Sequence, residues 1–265
     1  MALVHTHFFS NTLGRGVSCE VILPQKSTKL IGMDSAEKEK TPVLWLLHGM
    51  SDDETIWQRR TSVERYAAPL GLAVVMPSVE RSCYGNLAHG GKFYDYIAKE
   101  LPAVMHGFFG FSLAREDNYV CGLSMGGAGA MKIGLANPEQ YSVIGCLSAG
   151  IFNHPNPEDT QHLDPVKQRS DYIRFDGQTL AGTEEDVMEN ARKILAEGKP
   201  VPRIYHSTGS EDFLKGAAHA TRDFFLGMEG NPFDYVYEED PGSHTWEYWD
   251  EHIQHFLAYL GGRRA

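Results

Sequence analysis

A chain of 265 residues has room for one large α/β domain with a substantial core, and a formal net charge of −11 argues against a nucleic-acid binder, which carries a basic face. Hydrophobic residues make up 42%, the level of a soluble protein, and no apolar run approaches a membrane span: even Val43–Leu47 is followed at once by His48 and Gly49. Residues 1–10 lack a charged stretch followed by an apolar core, and Cys19, Cys83, Cys121 and Cys146 are scattered without Cys-x-x-Cys spacing, so a reduced, cytoplasmic protein is expected.

Residues 4–9 and 17–23 read as two strands of a hairpin, joined by a loop holding Gly14-Arg15-Gly16. Residues 25–41 are polar, with little to bury. Val43–Leu47 is a continuous apolar run, as expected of a central strand covered on both faces. Asp52, Asp53 and Glu54 place acid at the start of the next helical segment, where it suits the helix dipole, and are not read as a metal site. Residues 62–69 read as a helix and 73–76 as a buried strand stopped by Pro77. Phe93, Ile97, Leu101, Val104 and Met105 recur at helical spacing. Strands are expected at 119–123, 143–147, 203–208 and 235–238, with helices at 125–136, 184–195, 217–228 and 246–260. The long, polar, proline-bearing stretch 148–183 reads as a small cap or lid. Strands alternating with helices after an antiparallel start predict a mostly parallel sheet with helices on both faces. No repeat or domain boundary divides residues 1–265, which are read as a single domain.

Tyr119-Val120-Cys121-Gly122-Leu123-Ser124-Met125-Gly126-Gly127 is the stretch around which the rest is organised. A strand ends, one serine occupies the bend and a helix begins; Gly122, Ser124 and Gly126 spell the G-x-S-x-G nucleophile elbow. Side chains two before and two after the serine would collide in so tight a turn. The Met125 N–H opens the helix, has no partner within it and can bind a developing oxyanion.

A serine hydroxyl needs a base, and the base an orienting acid. In this elbow type the chain order is serine, acid, histidine, and reacting groups gather beyond the carboxyl ends of parallel strands. The loop after the 203–208 strand offers Asp212, with Glu211 as its rival; the loop after the last strand offers His244, with Asp240 on the same loop a weaker acid. Of the twelve histidines only His244 has this position. His48 reads as structural, His206 lies within a strand, and His252 and His255 fall in the last helix as solvated or half-buried residues. A second oxyanion donor is expected from the loop after the first central strand, at the Met50 N–H behind Gly49. Trp57, Tyr84 and Trp246 are candidates for the border of an acyl or alcohol pocket. No metal is expected.

Leu46-Leu47-His48-Gly49-Met50, Val74-Val75-Met76-Pro77, Gly122-Leu123-Ser124-Met125-Gly126-Gly127, Gly209-Ser210-Glu211-Asp212-Phe213-Leu214 and Gly242-Ser243-His244-Thr245-Trp246 together resemble the tributyrin esterase branch of the esterase D-like α/β-hydrolases, relatives of S-formylglutathione hydrolase and the mycolyltransferases. The resemblance implies an α/β-hydrolase fold and a carboxylesterase acting on short acyl chains, acetyl to butyryl and acetylated sugars among them. It also implies a Ser124–Asp212–His244 triad, Met50 and Met125 as oxyanion donors, and no cofactor. A small-molecule ester is the expected partner; members of this family often associate, which allows for a homo-oligomer. S-formylglutathione hydrolases usually carry histidine before the nucleophile and an Asp-His-Ser-Tyr-like stretch at the base. Leu123 and Ser243-His244-Thr245-Trp246 depart from that pattern, leaving a thioesterase or an acyltransferase on the same triad as the alternative.

Overall fold

The computed structural model describes residues 1–25, 31, 36, 38–151, 169 and 172–261. Its centre is an eight-stranded sheet formed by β1 (Ala2–Ser10), β2 (Arg15–Leu23), β3 (Val43–Leu47), β4 (Ala73–Pro77), β5 (Asn118–Leu123), β6 (Val143–Leu147), β7 (Arg203–Gly209) and β8 (Val236–Asp240), in the order β1-β2-β4-β3-β5-β6-β7-β8. The β1/β2 and β2/β4 pairs are antiparallel; every other pair is parallel. This is the α/β-hydrolase fold. The hairpin closes where read, with Ser10 opposite Arg15.

Alternation along β3 divides the core. Val43, Trp45 and Leu47 point into one apolar layer; Leu44 and Leu46 point into the other. Helices cover both layers, so each central strand is apolar throughout rather than alternating. Short α1 (Ile56–Arg60) and α2 (Val63–Ala67) share one layer with the closing helix. The opposite layer takes a helical run, α3, made of Phe93–Asp95, a π-helical turn Tyr96–Glu100 and Leu101–Phe109. It is joined there by α4 (Met125–Ala136), α5 (Val187–Ala196) and Phe225 of α6 (Lys215–Leu226), while α7 (Trp246–Leu260) is the closing helix. Pro102 has no N–H to give the Ala98 carbonyl, which accounts for the loosened turn ahead of it in α3.

Among the boundaries that differ from the sequence reading, three have a visible cause. The acids at 52–54 precede α1 rather than start it: Asp53 Oδ1 instead accepts the Thr55 N–H (2.9 Å) and hydroxyl (2.6 Å) in a local turn. The 62–69 helix stops at Ala67 and passes into a 3₁₀ turn, Ala68–Leu70, ended by Gly71 at φ +58°. β8 runs on to Asp240 through a charged edge. Of the cap expected at 148–183, residues 152–168, 170 and 171 lie outside the described residues. Among the described residues no helix is long and apolar enough to cross a membrane. All four cysteines are free.

Candidate active site

β5 ends at Leu123 and α4 starts at Met125, so Ser124 alone makes the turn, at φ +52° and ψ −118°. A non-glycine residue in this region stores on the order of 1–3 kcal/mol of strain and needs a surround that enforces it. That surround is backbone. The Ser124 N–H donates to the Leu147 carbonyl at 2.8 Å, and its own carbonyl accepts the Ala128 N–H at 3.1 Å. A Cβ on Gly122 would lie 2.4 Å from the Gly126 carbonyl oxygen, and one on Gly126 would lie 2.5 Å from the Leu47 oxygen. Both elbow glycines are therefore sterically required, and Gly126 also holds the elbow against the end of β3.

The base and the acid come from the loops after β8 and β7. His244 Nε2 is 3.0 Å from Ser124 Oγ, and His244 Nδ1 is 2.8 Å from Asp212 Oδ2. The second carboxylate oxygen of Asp212 accepts the Leu214 N–H at 2.8 Å. Burial alone would raise the Asp212 pKa; the hydrogen bonds from the His244 ring and the Leu214 amide outweigh it, so the carboxyl is held below its ordinary range. The His244 ring lies edge-on to Trp249 (4.9 Å between centroids) and tilted against Phe213 (4.5 Å). Of the rival acids, Glu211 is exposed and Asp240 faces His252 instead.

The loop carrying Met50 is shaped by side chains. Buried His48 donates from Nδ1 to the Gly49 carbonyl (2.6 Å) and accepts the Val79 N–H at Nε2 (3.0 Å), which fixes its neutral tautomer. Burial lowers its pKa, the Gly49 hydrogen bond opposing, so the ring remains the neutral acceptor Val79 needs. His48 is thus structural, as its sequence position implied.

Two of the three residues expected at the pocket border have no exposed surface. Trp57 and Tyr84 are fully buried. The Trp57 indole N–H donates to the Leu47 carbonyl at 3.1 Å, and the Tyr84 hydroxyl to the His48 carbonyl at 3.0 Å. Aromatic rings with a polar tip commonly bury the ring and aim the tip at a backbone acceptor; here both tips brace the Met50 loop. Trp246 is half-buried, edge-to-face with Trp57 and Trp249. The sequence reading missed Phe213, 76% exposed against the His244 ring, and Trp249 behind that ring. Position next to Asp212 was the available signal for Phe213; Trp249 had only its place three residues after Trp246. His252 is another correction: it is buried, stacked on Tyr248 at 3.8 Å, not solvated or half-exposed. His206 is also fully buried, between the Tyr235 hydroxyl (2.6 Å) and the Ala149 carbonyl (2.9 Å).

The arrangement can pass a proton from a hydroxyl to an imidazole backed by a carboxylate, beside a helix N-terminus. Comparison with known proteins agrees with this chemistry. The Esterase family model matches residues 10–260. An acetyl esterase of Caldicellulosiruptor saccharolyticus is 26% identical over 264 residues, covering 98% of each chain. Two solved structures from Staphylococcus aureus cover 98% of each chain: FphF, a fluorophosphonate-binding serine hydrolase (30% identity, TM-score 0.80), and FrmB, an S-formylglutathione hydrolase (32%, TM-score 0.79). The chain belongs to the Esterase family and is a serine carboxylic ester hydrolase of the α/β-hydrolase fold.

Proposed function

We propose that this enzyme hydrolyses short-chain acyl esters, acetyl to butyryl, through an acyl-enzyme on Ser124. The observation that carries the reading is the continuous relay from Ser124 Oγ to His244 (3.0 Å) to Asp212 (2.8 Å). His244 takes the Ser124 proton as Oγ attacks the ester carbonyl carbon. The Met50 and Met125 N–H groups hold the oxyanion, each such donor contributing about 3 kcal/mol. As the tetrahedral intermediate collapses, the C–O bond to the alcohol breaks and His244 returns the proton to the leaving oxygen. Water, deprotonated by His244, then attacks the acyl carbon and frees the acid and Ser124. Asp212 holds the imidazole tautomer throughout and stabilises the imidazolium. Exposed Phe213 and Met50 with half-buried Trp246 offer an apolar rim suited to a small acyl or alcohol group.

Turnover of p-nitrophenyl acetate and butyrate by wild type and Ser124→Ala, together with fluorophosphonate labelling read by peptide mass spectrometry, tests this. Label on Ser124 and its loss with activity in the variant are expected; undiminished turnover would remove Ser124 from the mechanism. A second reading, thioester hydrolysis or acyl transfer on the same relay, is favoured by the likeness to FrmB. Direct comparison of S-formylglutathione with p-nitrophenyl acetate, and product analysis with added sugar or thiol acceptors, separates the two. Four free cysteines, three of them buried, support a reducing cytoplasmic setting, and association into homo-oligomers is part of the same proposal.

A further inference from the structure

β8 and α7 flank the loop that carries His244, and they meet in a cluster of side chains that the esterase mechanism does not use. Glu238 of β8, and His252 and His255 of α7, bring one ligand atom each within 4.8 Å of one another. Glu238 Oε2 lies 3.0 Å from His255 Nδ1 and 3.6 Å from His252 Nδ1. Ligands held about 2.1 Å from a tetrahedral ion stand about 3.4 Å apart, and the two separations from Glu238 lie close to that value. The spacing has a cause in the helix: positions 252 and 255 are i and i+3, on one face of α7, and that face meets the strand bearing Glu238.

The surround of His252 gives an independent observation. Its ring is 1% exposed and stacked on Tyr248. Nδ1 is turned to the cluster, where the Tyr205 hydroxyl lies 3.1 Å from it and is the contact an ion would replace; the other nitrogen is buried and has no hydrogen-bond partner among the described residues. The group it faces is the Asp240 carboxylate, 3.6 Å from Nε2. A metal-ligating histidine characteristically presents its far N–H to a carboxylate, which fixes the tautomer and makes the ligating nitrogen more basic. Metal at Nδ1 places the proton on Nε2, opposite Asp240, and so gives the orphaned nitrogen its function. Glu238 is itself oriented by the Tyr205 hydroxyl, which donates to Oε2 at 2.5 Å. His255 is about one-third exposed, so the cluster has a solvent-facing side through which an ion and a water ligand can enter.

We propose that Glu238, His252 and His255 form a binding site for one divalent transition-metal ion of the zinc class, separate from the catalytic relay. Two imidazoles and one carboxylate suit zinc, cobalt or nickel rather than magnesium or calcium. The ion clamps the last strand to the last helix on either side of residues 241–245. A packing path leads on to the base: His252 stacks on Tyr248, whose ring abuts Gly242, where a Cβ would lie 2.6 Å from Tyr248 Cδ2. The site therefore serves stability and the seating of His244, not the chemistry.

Purified enzyme is stripped with EDTA, desalted, equilibrated with ZnCl₂ and assayed for bound metal by mass spectrometry and for affinity by calorimetry. Wild type and His244→Ala are expected to hold one zinc per chain. His255→Ala and Glu238→Gln are expected to bind at least about tenfold more weakly. Zinc raises the melting temperature of wild type and leaves that of the two ligand variants unmoved; Co²⁺ gives wild type the visible absorption of a four-coordinate ion. Substoichiometric zinc in wild type, or unaltered affinity in both ligand variants, overturns the proposal. Binding that survives in the ligand variants but is lost in His244→Ala places the ion on the catalytic imidazole and overturns it too. If one ligand variant fails to fold, the other decides. None of these readouts involves ester turnover, so failure here leaves the role of Ser124 untouched.

Discussion

Ser124 and His244 reach the same point from two regions made of different material. Around the elbow, position is enforced by backbone contact: Gly122 against Gly126, Gly126 against Leu47 and His48, and the Ser124 amide on the Leu147 carbonyl. Among the described residues, no charged side chain appears in these contacts. Around the His244 loop, position is enforced by polar side chains: Asp212 on the imidazole, Tyr205 and His255 on Glu238, and Tyr248 stacked on His252. The first region tolerates no added volume and should be indifferent to pH. The second is also packed tightly, Gly209 against the Gly242 backbone, but adds groups oriented by hydrogen bonds that a proton or a lost charge disrupts.

The most severe test of this contrast is Asp212→Asn, which alters charge and hydrogen bonding with almost no change in volume. The imidazole then loses its carboxylate acceptor and its tautomer, and kcat for p-nitrophenyl butyrate should fall by about 10⁴ with melting temperature little changed. A drop of less than tenfold would mean another acid orients His244. Next comes Gly126→Ala on the other side. Its Cβ would sit 2.5 Å from the Leu47 oxygen, where only backbone movement gives relief, so urea unfolding should show a loss of about 3 kcal/mol. The loss should be the same at pH 5 and pH 8.

A comparable effect, but one that depends on pH, is expected at His206. Burial lowers its pKa from 6.5 to about 4, the Ala149 hydrogen bond opposing. Between about pH 6.5 and 4 the unfolded chain takes up a proton that the folded chain refuses, so stability falls as pH falls through this window and levels off below it. The full span is worth about 3 kcal/mol at most. His206→Gln should cost stability at pH 7 yet flatten the slope between pH 6.5 and 4; an unchanged slope would show that other groups set it. The smallest effect is expected for Tyr84→Phe. Losing the bond to the His48 carbonyl should cost about 1 kcal/mol of stability and lower kcat more than it raises KM, since the Met50 loop serves the transition state.

What could be read in the sequence follows the same division. β3, β4, β5 and β6 were legible because strands covered on both faces must be apolar along their whole length, and the elbow because steric demand leaves glycine as its only solution. Asp212 and His244 were legible from topology, since chain order and strand ends assign their places. Trp57 and Tyr84 were misread because their residue types suit a pocket wall and a core equally well; what decides is the carbonyl each tip finds across the sheet. The burial of His252 was hidden for a related reason. A histidine on a helix looks like a surface residue until the two strands facing it, β7 and β8, are known to carry Tyr205 and Glu238. β8 was cut short at residue 238 because charged residues at a sheet edge look like a loop.

The torsion at residue 124 also limits what this scaffold can become. A backbone held at φ +52° admits a side chain with one substituent beyond Cβ, but branching at Cβ adds a steric penalty to a conformation already strained. Cysteine or aspartate could stand in the bend and open thiol or carboxylate chemistry to the fold, while threonine, the nearest chemical relative of serine, is disfavoured by shape alone. The range of reactions open to descendants of this enzyme is thus set by one dihedral angle before any substrate is met.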